Sequence, residues 1–498
     1  MSPDRSFDAA DRRADRFFLP AFIVFSTLQT LAFYSLWKFA ADDAYITFRY
    51  ARNLALGRGL VYNAGEHVLG TTSPFFAILL AAISKFVPVD MPWIAETVGG
   101  VAAGLAAFLL MRILRAMLRQ TDARWAGLWA TLFSVLFLMN PMVLRVSGMG
   151  MEAAVFNFLL LLTFWLHQTK RRGLCAVSGL CLTLTRPEGL IFMGLLFAWD
   201  YFVLTSEERG RGALQRYALY ALLIAGWLVF SKAYFHTFLP TSIEAKRIYF
   251  SKVIKYGDTT RAEIENEILG SPWNRARTAL LVAGAVLLIF RRRPEITLVA
   301  FMLASVGYLY YTRWRIFPWY LTSSYLVCYL VLAQVATIAL KRVNKEFAWV
   351  AAAVMLFAGA GFEMKEMKRT AGMNPVQHRF FREAADRLNN LKRPDSDLFA
   401  EEIGIVGYYS DIRIEDFGGL VSPDLFPYIR KADLKGAMEA VDAEFVLFAH
   451  PPNTSNPFAD LEGVAWFDSQ YAVLFEIEVI KDGRFYALYR RREEAASP

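Results

Sequence analysis

Two adjacent carboxylates, Asp42 and Asp43, stand between a strongly apolar stretch and a segment rich in tyrosine and arginine, ADDAYITFRYARN. In a helix, Asp42, Arg49 and Asn53 would lie along one face, with the carboxylates at the N-terminal end. Such residues often cap a helix and complement its dipole. Capping needs only one of them, and a carboxylate can also take a proton from an attacking hydroxyl. The pattern leaves both interpretations open, a helix cap or an acid–base group.

Other charged residues recur where the segments between apolar blocks begin or end. They are Arg145 and Glu152 in RVSGMGMEAAVF, Arg186 and Glu188 in LTRPEGL, Glu244, Lys246 and Arg247 in LPTSIEAKR, and Arg313 and Arg315 in YYTRWRIFPWYL. Taken singly, each is typical of an interfacial anchor or a snorkelling side chain. Taken together, they gather carboxylates and cations at one surface of a helical bundle. Because arginine binds phosphate oxygens in a bidentate, charge-assisted way, the set indicates a site for a lipid-linked phosphate whose departure the cations would stabilise.

The elements that must position these residues are membrane helices. Of the 498 residues, 56% are hydrophobic and only 20% are charged, and the apolar residues form long blocks. A transmembrane helix needs about 20 apolar residues, and about eleven blocks approach that length. They lie near 17–37, 93–111, 125–143, 152–168, 173–185, 188–204, 216–235, 276–290, 296–311, 319–340 and 347–362. The pattern therefore predicts an all-α polytopic membrane bundle over residues 17–362, with interfacial helices besides.

Basic residues in short loops mark the cytoplasmic side of a membrane protein. With eleven spans, the basic segments DRRADR, RILRAMLRQTDAR, TKRRG, EERGRGALQR, RRRP and KRVNK all lie on the side of the N-terminus, residues 1–16. This holds only if the apolar block 71–87, which is short and contains Lys85, does not cross the membrane. We therefore expect an interfacial or re-entrant helix within the first extracytoplasmic loop, residues 38–92. The alternative is an ordinary transmembrane helix and a weak charge rule.

The tail, residues 363–498, differs in kind from the rest of the chain. Its apolar runs, such as EFVLFAH and YAVLFEIEVI, have the length of strands, and helix-like polar segments such as HRFFREAADRLNN accompany them. These features predict a small soluble α/β domain on the extracytoplasmic face. We expect that domain to cap an outer cavity or to guide an acceptor.

Several classes of protein and of site fit poorly. The net charge of +8 comes largely from basic loops between apolar blocks, which indicates topology rather than nucleic-acid binding. The three cysteines lack the spacing of a metal site or of a disulfide framework. A polytopic transporter or flippase of a lipid-linked or envelope substrate is the main alternative to an enzyme. Such a protein would carry ionisable groups near mid-membrane and a pseudo-repeat between its halves, and the pattern contains neither.

Several segments occur in an order that matches a known family: DDAYITFRYARNLALGRGLVYNAGEHVLGTTSPFFAILL, SGMGMEAAVFNFLLLL, LTRPEGL, LPTSIEAK, FPWYL and EEIGIVGYYSDIRIEDFGGLVSPD. In these segments the chain resembles the GT-C glycosyltransferases that depend on polyprenyl phosphate. It is similar in particular to terminal arabinofuranosyltransferases of mycobacterial cell-wall arabinan, and more distantly to lipid A aminoarabinose transferases and protein mannosyltransferases. The likeness covers most of the chain, from Phe17 to Arg491.

The resemblance implies a multi-pass enzyme of the bacterial cytoplasmic membrane with an extracytoplasmic, periplasmic active site. Its donor would be a sugar, arabinofuranose by likeness, on a polyprenyl phosphate, and its acceptor a hydroxyl of an envelope glycan, lipid or protein. The catalytic acidic motif falls on Asp42 and Asp43, with Asp42 as the general base. Residues expected to bind the donor phosphate are Arg49, Arg186, Lys246, Arg313 and Arg315, and those expected to bind the acceptor or support the site are Glu152, Glu188, Glu244 and Tyr320.

The expected reaction is a single displacement. One base and one displacement imply inversion at the anomeric carbon, in contrast to a covalent two-step route. Phosphate is a good leaving group, so no cofactor is required. The alternative is a divalent cation held through the oxygens of Asp42 and Asp43.

Overall fold

The computed structural model describes residues 9–37, 41–120, 125–205, 207, 214–252, 261–312 without 263, 267, 268 and 271, and then 318–340, 350, 375–450, 461–479 and 484–492. The chain forms two compact units, each assembled from segments that are distant in sequence. The first, here the helical unit, comprises Met1–Lys38, Trp93–Trp227 and Tyr256–Gly372. The second, here the sheet unit, comprises Phe39–Pro92, Leu228–Lys255 and Met373–Pro498.

The secondary structure is mainly helical up to residue 391 and mixed beyond it. The helices of the first part are α1 Ala9–Trp37, α2 Asp42–Ala55, α3 Pro74–Ser84, α4 Met91–Arg119, α5 Ala126–Leu138, α6 Pro141–Ser147, α7 Ala153–Gln168, α8 Arg172–Thr185, α9 Gly189–Ala198 with a π-helical turn Trp199–Val203, α10 Gln215–Phe235, α11 Thr241–Lys252, α12 Pro272–Phe290, α13 Ile296–Thr312, α14 Pro318–Leu340 and α15 Pro375–Leu391. The remaining elements are β1 Asp397–Ala400, α16 Gly404–Ser410, β2 Arg413–Asp416, a 3₁₀ turn Pro423–Leu425, α17 Phe426–Ile429, α18 Leu434–Val441, β3 Phe445–His450, α19 Leu461–Gln470, β4 Tyr471–Val479 and β5 Arg484–Arg491.

Within the helical unit, small residues let α1 and α4 approach closely. The hydroxyl of Ser26 in α1 donates to the backbone carbonyl of Gly100 in α4 at 2.8 Å. A Cβ atom at Gly104 would lie 2.7 Å from the Cα of Ile23, so a larger residue there would push the helices apart. Apolar side chains gain little from packing in lipid, and close backbone contact with interhelical hydrogen bonds is the usual substitute. The spacing of small residues in α4 thus serves a membrane-type helix contact.

Helices occupy ten of the eleven predicted transmembrane positions, and the eleventh, 347–362, lies almost entirely outside the described residues. By length and composition, three described helices could cross a membrane: Ala14–Ser35, Met91–Arg119 and Gln215–Phe235. A fourth arises if α5 and α6, which meet at a bend of 56°, count as one span. The other apolar helices contain shorter apolar stretches, of 10–17 residues, such as Thr278–Phe290 in α12 and Tyr320–Val335 in α14. A helix-rich bundle is therefore confirmed, and the number of eleven spans remains a prediction.

The helix predicted to lie at the interface is α3. It has 11 residues, so at 1.5 Å per residue it is about 16 Å long, well short of the hydrocarbon thickness of about 30 Å. Its outward-facing Ile78 and the following Phe86, Val87 and Val89 are exposed. A short helix with an exposed apolar end fits the expectation that this block does not span.

The C-terminal tail contains a five-stranded sheet in the order β2-β1-β3-β5-β4. Strand β1 runs parallel to both β2 and β3, whereas β5 runs antiparallel to β3 and β4. The predicted α/β character of the tail is confirmed from residue 375 onward. Since parallel strands end at one edge of a sheet, the loops that follow β1 and β2 lie side by side there, as at the ligand edge of many α/β sheets.

The core of the sheet unit includes residues from outside the tail. Ile248 of α11 is buried among side chains of the sheet and its helices, including Phe399, Val446 and Phe448. Residues 39–92, α11 and the tail thus belong to one compact unit, a grouping that differs from the expected division at residue 362. Its cause is apolar side chains that each segment could not bury alone.

Candidate active site

Asp42 is the first residue of α2. The N-cap position is Ala41, whose side chain makes no capping hydrogen bond. The carboxylate instead reaches the loop after β1. Its Oδ2 accepts the backbone N–H of Gly404 at 2.9 Å, and its Oδ1 accepts that of Ile405 at 2.8 Å. The interpretation of Asp42 as the cap of its own helix is therefore wrong. Its hydrogen bonds join α2 to the start of α16.

The contact with Asp42 requires a glycine at position 404. A Cβ atom there would lie 2.7 Å from the Cγ of Asp42 and would overlap the backbone oxygen of the same residue. Real Cβ atoms do not approach carbon so closely, so any side chain would push the N–H group away from the carboxylate. The missing side chain is what permits both N–H bonds.

Glu402 is a second acidic group near this position, and its side chain acts to lower the pKa of the Asp42 carboxyl group. Sequence reasoning did not select it. The signal that could have found it is the pair Glu401–Glu402 directly after a buried strand, at the edge where α/β sheets carry their sites. Asp43, the next residue of α2, is half-buried.

The ionisation of Asp42 is shifted by its surroundings. Burial raises the pKa of its carboxyl group to about 6, and the charge of Asp43 acts in the same direction. The two N–H bonds and the side chain of Glu402 oppose that rise. A carboxyl group with a pKa near the working pH can both accept and release a proton, which is the property of a general base.

Arg49 is 2% exposed and bonded entirely to its own unit. Its guanidinium donates to the carbonyls of Tyr62 at 2.8 Å, Gly407 at 3.0 Å and Ile412 at 2.7 Å. It also lies 4.2 Å from the centroid of the Tyr62 ring. Arg49 was predicted to bind the donor phosphate, but the structure uses its donors to join α2 to the loops around α16. The fixed fork of a guanidinium suits such a multiple contact.

The loop after β2 is organised by Asp416, which is fully buried. Its carboxylate accepts N–H groups from Gly418 at 2.7 Å and Leu420 at 2.6 Å. Burial raises the pKa of Asp416 to about 7. The carbonyl of Leu420 in turn accepts the hydroxyl of Thr241, the first residue of α11. The DFGG segment therefore links β2 to α11.

Two predicted residues lie in α11. Glu244 is paired with Arg247 at 2.8 Å and with Arg430 at 3.3 Å, and these ion pairs lower its pKa. Lys246 is partly buried. Tyr249, one turn further on, is hydrogen-bonded to Glu401. The helix thus reaches the same loop that carries Glu402.

In the helical unit, four of the predicted residues form a cluster, here the Arg186 cluster. Arg186 is 6% exposed and lies 3.0 Å from the carboxylate of Glu188 and 3.8 Å from that of Glu152. Its guanidinium stands 4.7 Å from the centroid of the Tyr320 ring. The cluster carries one positive and two negative charges, so it offers donors for phosphate oxygens and acceptors for hydroxyl groups. Two further predicted residues, Arg313 and Arg315, lie outside the described residues.

A metal site was the alternative interpretation of Asp42 and Asp43. Within the described ranges, no three histidine, cysteine, aspartate or glutamate residues are grouped so that they could hold a metal ion. Both oxygens of Asp42 accept N–H groups. The described arrangement is that of a hydrogen-bonded carboxyl group.

Comparison with known proteins adds to this geometry. Residues 369–491 match a family described as a domain of unknown function, DUF8728. The comparison with curated proteins found no match. Among solved structures, one similar protein is an oligosaccharyltransferase from Archaeoglobus fulgidus, in complex with Zn and sulfate. It is 11% identical with a TM-score of 0.55, and the alignment covers 86% of this chain and 67% of the oligosaccharyltransferase chain. ArnT from Cupriavidus metallidurans, bound to undecaprenyl phosphate, is 13% identical with a TM-score of 0.54 and covers 96% of this chain and 98% of its own.

The chain has a GT-C fold. A third structure, archaeal AglB from Archaeoglobus fulgidus with an inhibitory peptide and a dolichol-phosphate, agrees: it is 11% identical, has a TM-score of 0.54 and covers 87% of this chain and 69% of its own. The predicted resemblance to GT-C proteins is confirmed. At these identities the likeness concerns the fold.

Proposed function

We propose that this protein is an integral-membrane glycosyltransferase that moves a sugar from a polyprenyl-phosphate donor to a hydroxyl of an envelope glycan, lipid or protein. The observation that carries the proposal is the carboxyl group of Asp42. It is held by two backbone N–H groups, and its pKa is raised to about 6 in a chain with a GT-C fold. A carboxyl group poised in this way suits a general base at neutral pH.

The donor class is supported by the solved relatives. One relative is bound to undecaprenyl phosphate and another to a dolichol-phosphate, and both ligands are polyprenyl monophosphates. Arabinofuranose is the sugar that the resemblance in sequence favours. We infer that the donor sugar reaches the enzyme from the outer leaflet of the bacterial cytoplasmic membrane, on the face where the loop 38–92 and the tail are expected.

In the proposed reaction, the acceptor oxygen attacks the anomeric carbon while Asp42 takes the proton of the acceptor hydroxyl. The new carbon–oxygen bond forms as the bond from the anomeric carbon to the phosphate oxygen breaks. The electron pair of that bond leaves on the phosphate, which departs as polyprenyl phosphate. One displacement inverts the anomeric carbon. No step of this reaction is routed through a metal.

The Arg186 cluster is proposed to bind the sugar phosphate of the donor. A guanidinium can bind two phosphate oxygens at once, and the carboxylates of Glu152 and Glu188 can accept sugar hydroxyls. Tyr320 supplies a ring against which the guanidinium is stacked. Lys246, Arg313 and Arg315 remain predicted contacts of the phosphate. Arg49 is left out of this set because its donors serve backbone carbonyls.

The test uses the purified full chain with synthetic polyprenyl-phosphate donors that carry arabinofuranose or a hexose. Mass spectrometry follows the product and the released polyprenyl phosphate, and lipids that copurify identify the natural donor. Asp42→Asn is expected to lose transfer by about a hundredfold or more while it still binds undecaprenyl phosphate. The exposed Asp424 of the same unit, changed to Asn, is the matched control. Turnover of Asp42→Asn near the wild-type value, or solute counterflow in proteoliposomes without product, would overturn the proposal.

A further inference from the structure

A group of aromatic and charged side chains in the sheet unit, here the Asp90 cluster, lies close to Asp42. Its members are Asp90, Arg382, Tyr408 and Tyr409. The hydroxyl of Tyr408 donates to Oδ1 of Asp90 at 2.8 Å, and that of Tyr409 donates to Oδ2 at 3.2 Å. The guanidinium of Arg382 lies over the ring of Tyr409, 3.6 Å from its centroid. The proposed reaction uses none of these side chains.

Helix α16 connects this cluster to the proposed base. Its first two residues, Gly404 and Ile405, donate the N–H groups that bind Asp42. Tyr408 and Tyr409 follow these two residues by four positions each, so they lie one turn further along on the same side of the helix. At 1.5 Å per residue, that step is about 6 Å. The cluster is therefore close to the proposed base but separate from it.

Tyr45 makes a second connection between the two. It follows Asp42 by three residues in α2, so both side chains lie on one face of that helix. The ring of Tyr45 is fully buried, and its centroid lies 5.5 Å from that of Tyr408 and 5.6 Å from that of Tyr409. Its hydroxyl lies 3.3 Å from Nε2 of His378 in α15. Packed rings thus fix the distance between Asp42 and the cluster.

The polar ends of the cluster are open to solvent. Asp90 is exposed, Tyr409 is half-buried, and the side chain of Arg382 is 45% exposed. A carboxylate offers about four lone-pair sites, and the two tyrosine hydroxyls take two of those on Asp90. Among the described residues, Asp386 lies 3.8 Å from Arg382, which is too far for a hydrogen bond. Acceptor sites on Asp90 and N–H donors on Arg382 are therefore available to a ligand.

The chemistry of the cluster suits a neutral sugar. A sugar ring carries hydroxyl groups, which donate and accept hydrogen bonds, and C–H faces, which pack against planar groups. Asp90 supplies acceptors and Arg382 supplies donors, while the stacked guanidinium and phenol of Arg382 and Tyr409 provide a planar surface. The charges of Asp90 and Arg382 cancel, so the cluster gives no preference to an anionic lipid headgroup. These properties distinguish a glycan from the other acceptor classes.

We propose that the Asp90 cluster is an acceptor subsite, which binds a sugar unit of a neutral glycan next to the unit whose hydroxyl reaches Asp42. This inference rests on the proposed function and narrows its acceptor to a neutral glycan. Arg382, Tyr408 and Tyr409 belong to the segment that matches a domain of unknown function. That domain would therefore take part in acceptor recognition.

The first experiment measures glycan binding without a donor, by calorimetry on the purified full chain. The probes are synthetic neutral oligosaccharides, one an arabinan and one a mannan. Arg382→Ala and Asp90→Ala should each raise the Kd of the bound oligosaccharide by about tenfold or more, because each removes hydrogen bonds that involve a charged group. Tyr409→Ala, which removes the ring beneath the guanidinium, should have at least as large an effect.

Arg387→Ala is the matched control for these variants. Arg387 also lies in α15, and its guanidinium also stacks on an aromatic ring, 4.2 Å from the centroid of Phe475. Phe475 belongs to β4 and not to the Asp90 cluster. The control should therefore bind the oligosaccharide with unchanged Kd.

The transfer assay described above gives a second readout. In Arg382→Ala and Asp90→Ala, the KM for the glycan acceptor should rise by about the same factor as the Kd. The value of kcat at saturating glycan and the KM for the donor should stay within about twofold of wild type. A purely structural role of the cluster would instead lower kcat or the amount of folded protein and leave the KM for the glycan unchanged.

The outcomes separate this inference from the function on which it rests. If wild type transfers sugar but the variants bind and use the oligosaccharide as wild type does, the subsite is refuted and the glycosyltransferase proposal stands. Wild type that binds neither oligosaccharide, or that transfers sugar only to a peptide or a lipid, also refutes it. If wild type binds an oligosaccharide through the cluster but transfers no sugar from any donor in the panel, the proposed function fails and the cluster stands as a glycan site. Should Tyr409→Ala not fold, the variants of the exposed Asp90 and Arg382 decide the question.

Discussion

The side chain of Asp42 binds the backbone N–H of Gly404 at 2.9 Å, across 362 residues of sequence. Asp42 is the first residue of α2, and Gly404 is the first residue of α16, which follows the first strand of the tail. Both belong to the sheet unit. This contact makes the acidic motif of the first loop and the tail parts of a single structure, and the following predictions depend on it.

Gly404→Ala should impair sugar transfer although it replaces no charged residue. The added Cβ would lie 2.7 Å from the Cγ of Asp42, so α16 must shift and weaken the N–H bonds to the carboxylate. We expect kcat to fall by about tenfold or more, with a modest loss of thermal stability. Gly127→Ala in α5 is the matched control, since Gly127 has no positive φ and no atom within 4 Å of an added Cβ. Unchanged kcat in Gly404→Ala would contradict the role of these bonds.

The acidic limb of the pH–rate profile should report Asp42. A general base must be ionised, and burial raises the pKa of Asp42 to about 6, so kcat/KM should rise with pH through about 6 and level off above it. A sugar phosphodiester donor does not titrate in this range, so the limb belongs to the enzyme. The measurement is kcat/KM for the donor between pH 4.5 and about 8.5. A flat profile across pH 6 would remove Asp42 from the role of base.

The stability of the sheet unit should change with pH in the opposite sense. The pKa of Asp416 rises from 3.8 to about 7 on folding, and that of Asp42 from 3.8 to about 6. Between these values the folded state binds more protons than the unfolded state, so the free energy of unfolding falls as pH rises. Melting temperatures in detergent should therefore decline from pH 4 to about 7 as these two groups ionise. Asp416→Asn should flatten that slope, and an unchanged slope would argue against the burial of its charge as the cause.

Arg49→Ala should destabilise the protein more than other arginine substitutions in the same loop. It would remove three buried hydrogen bonds donated by a charged group, which costs about 3 kcal/mol or more. Arg49→Lys should recover only part of this, because an ammonium cannot reproduce the planar fork. Arg58, whose side chain is 39% exposed and paired with Asp411, is the control, and its change to Ala should cost about 1 kcal/mol or less. The measurement is thermal unfolding in detergent, and equal losses at both positions would refute the assignment.

Arg186→Ala should weaken binding of the donor carrier. The guanidinium is the cation of a cluster that otherwise contains two carboxylates, so its loss leaves uncompensated negative charge facing the phosphate. We expect the Kd for undecaprenyl phosphate to rise by about tenfold or more, and Arg186→Lys should restore it only partly. Arg387→Ala, at a side chain that is 44% exposed, serves as the control. If Arg186→Ala binds undecaprenyl phosphate with unaltered affinity, the Arg186 cluster does not bind the phosphate.

Much of the architecture follows from local pattern. Ten helices lie where long apolar blocks predicted them. Helix α3 has 11 residues, and its position at the membrane interface stays a prediction. The Arg186 cluster could also be anticipated, since charged residues next to apolar blocks are costly and therefore conspicuous. Hydropathy and periodicity are properties of short segments, a helical turn or a strand, so they can be read from the sequence without knowledge of the fold.

The hydrogen-bond partners of the individual charged groups could not be predicted from the sequence. Asp42 and Arg49 share a helical face in the sequence pattern, yet the structure turns Asp42 to Gly404 and Ile405 and gives the donors of Arg49 to carbonyls. A hydrogen bond depends on distance and angle to within a few tenths of an ångström, and residues hundreds of positions apart acquire such geometry only when the chain has packed. The amino-acid sequence by itself determined that this is a helix-rich membrane protein with an acidic motif ahead of a mixed tail. Only the tertiary structure decided that Asp42 accepts two backbone N–H groups and that Arg49 donates to backbone carbonyls, because long-range packing selects the partner of each buried polar group.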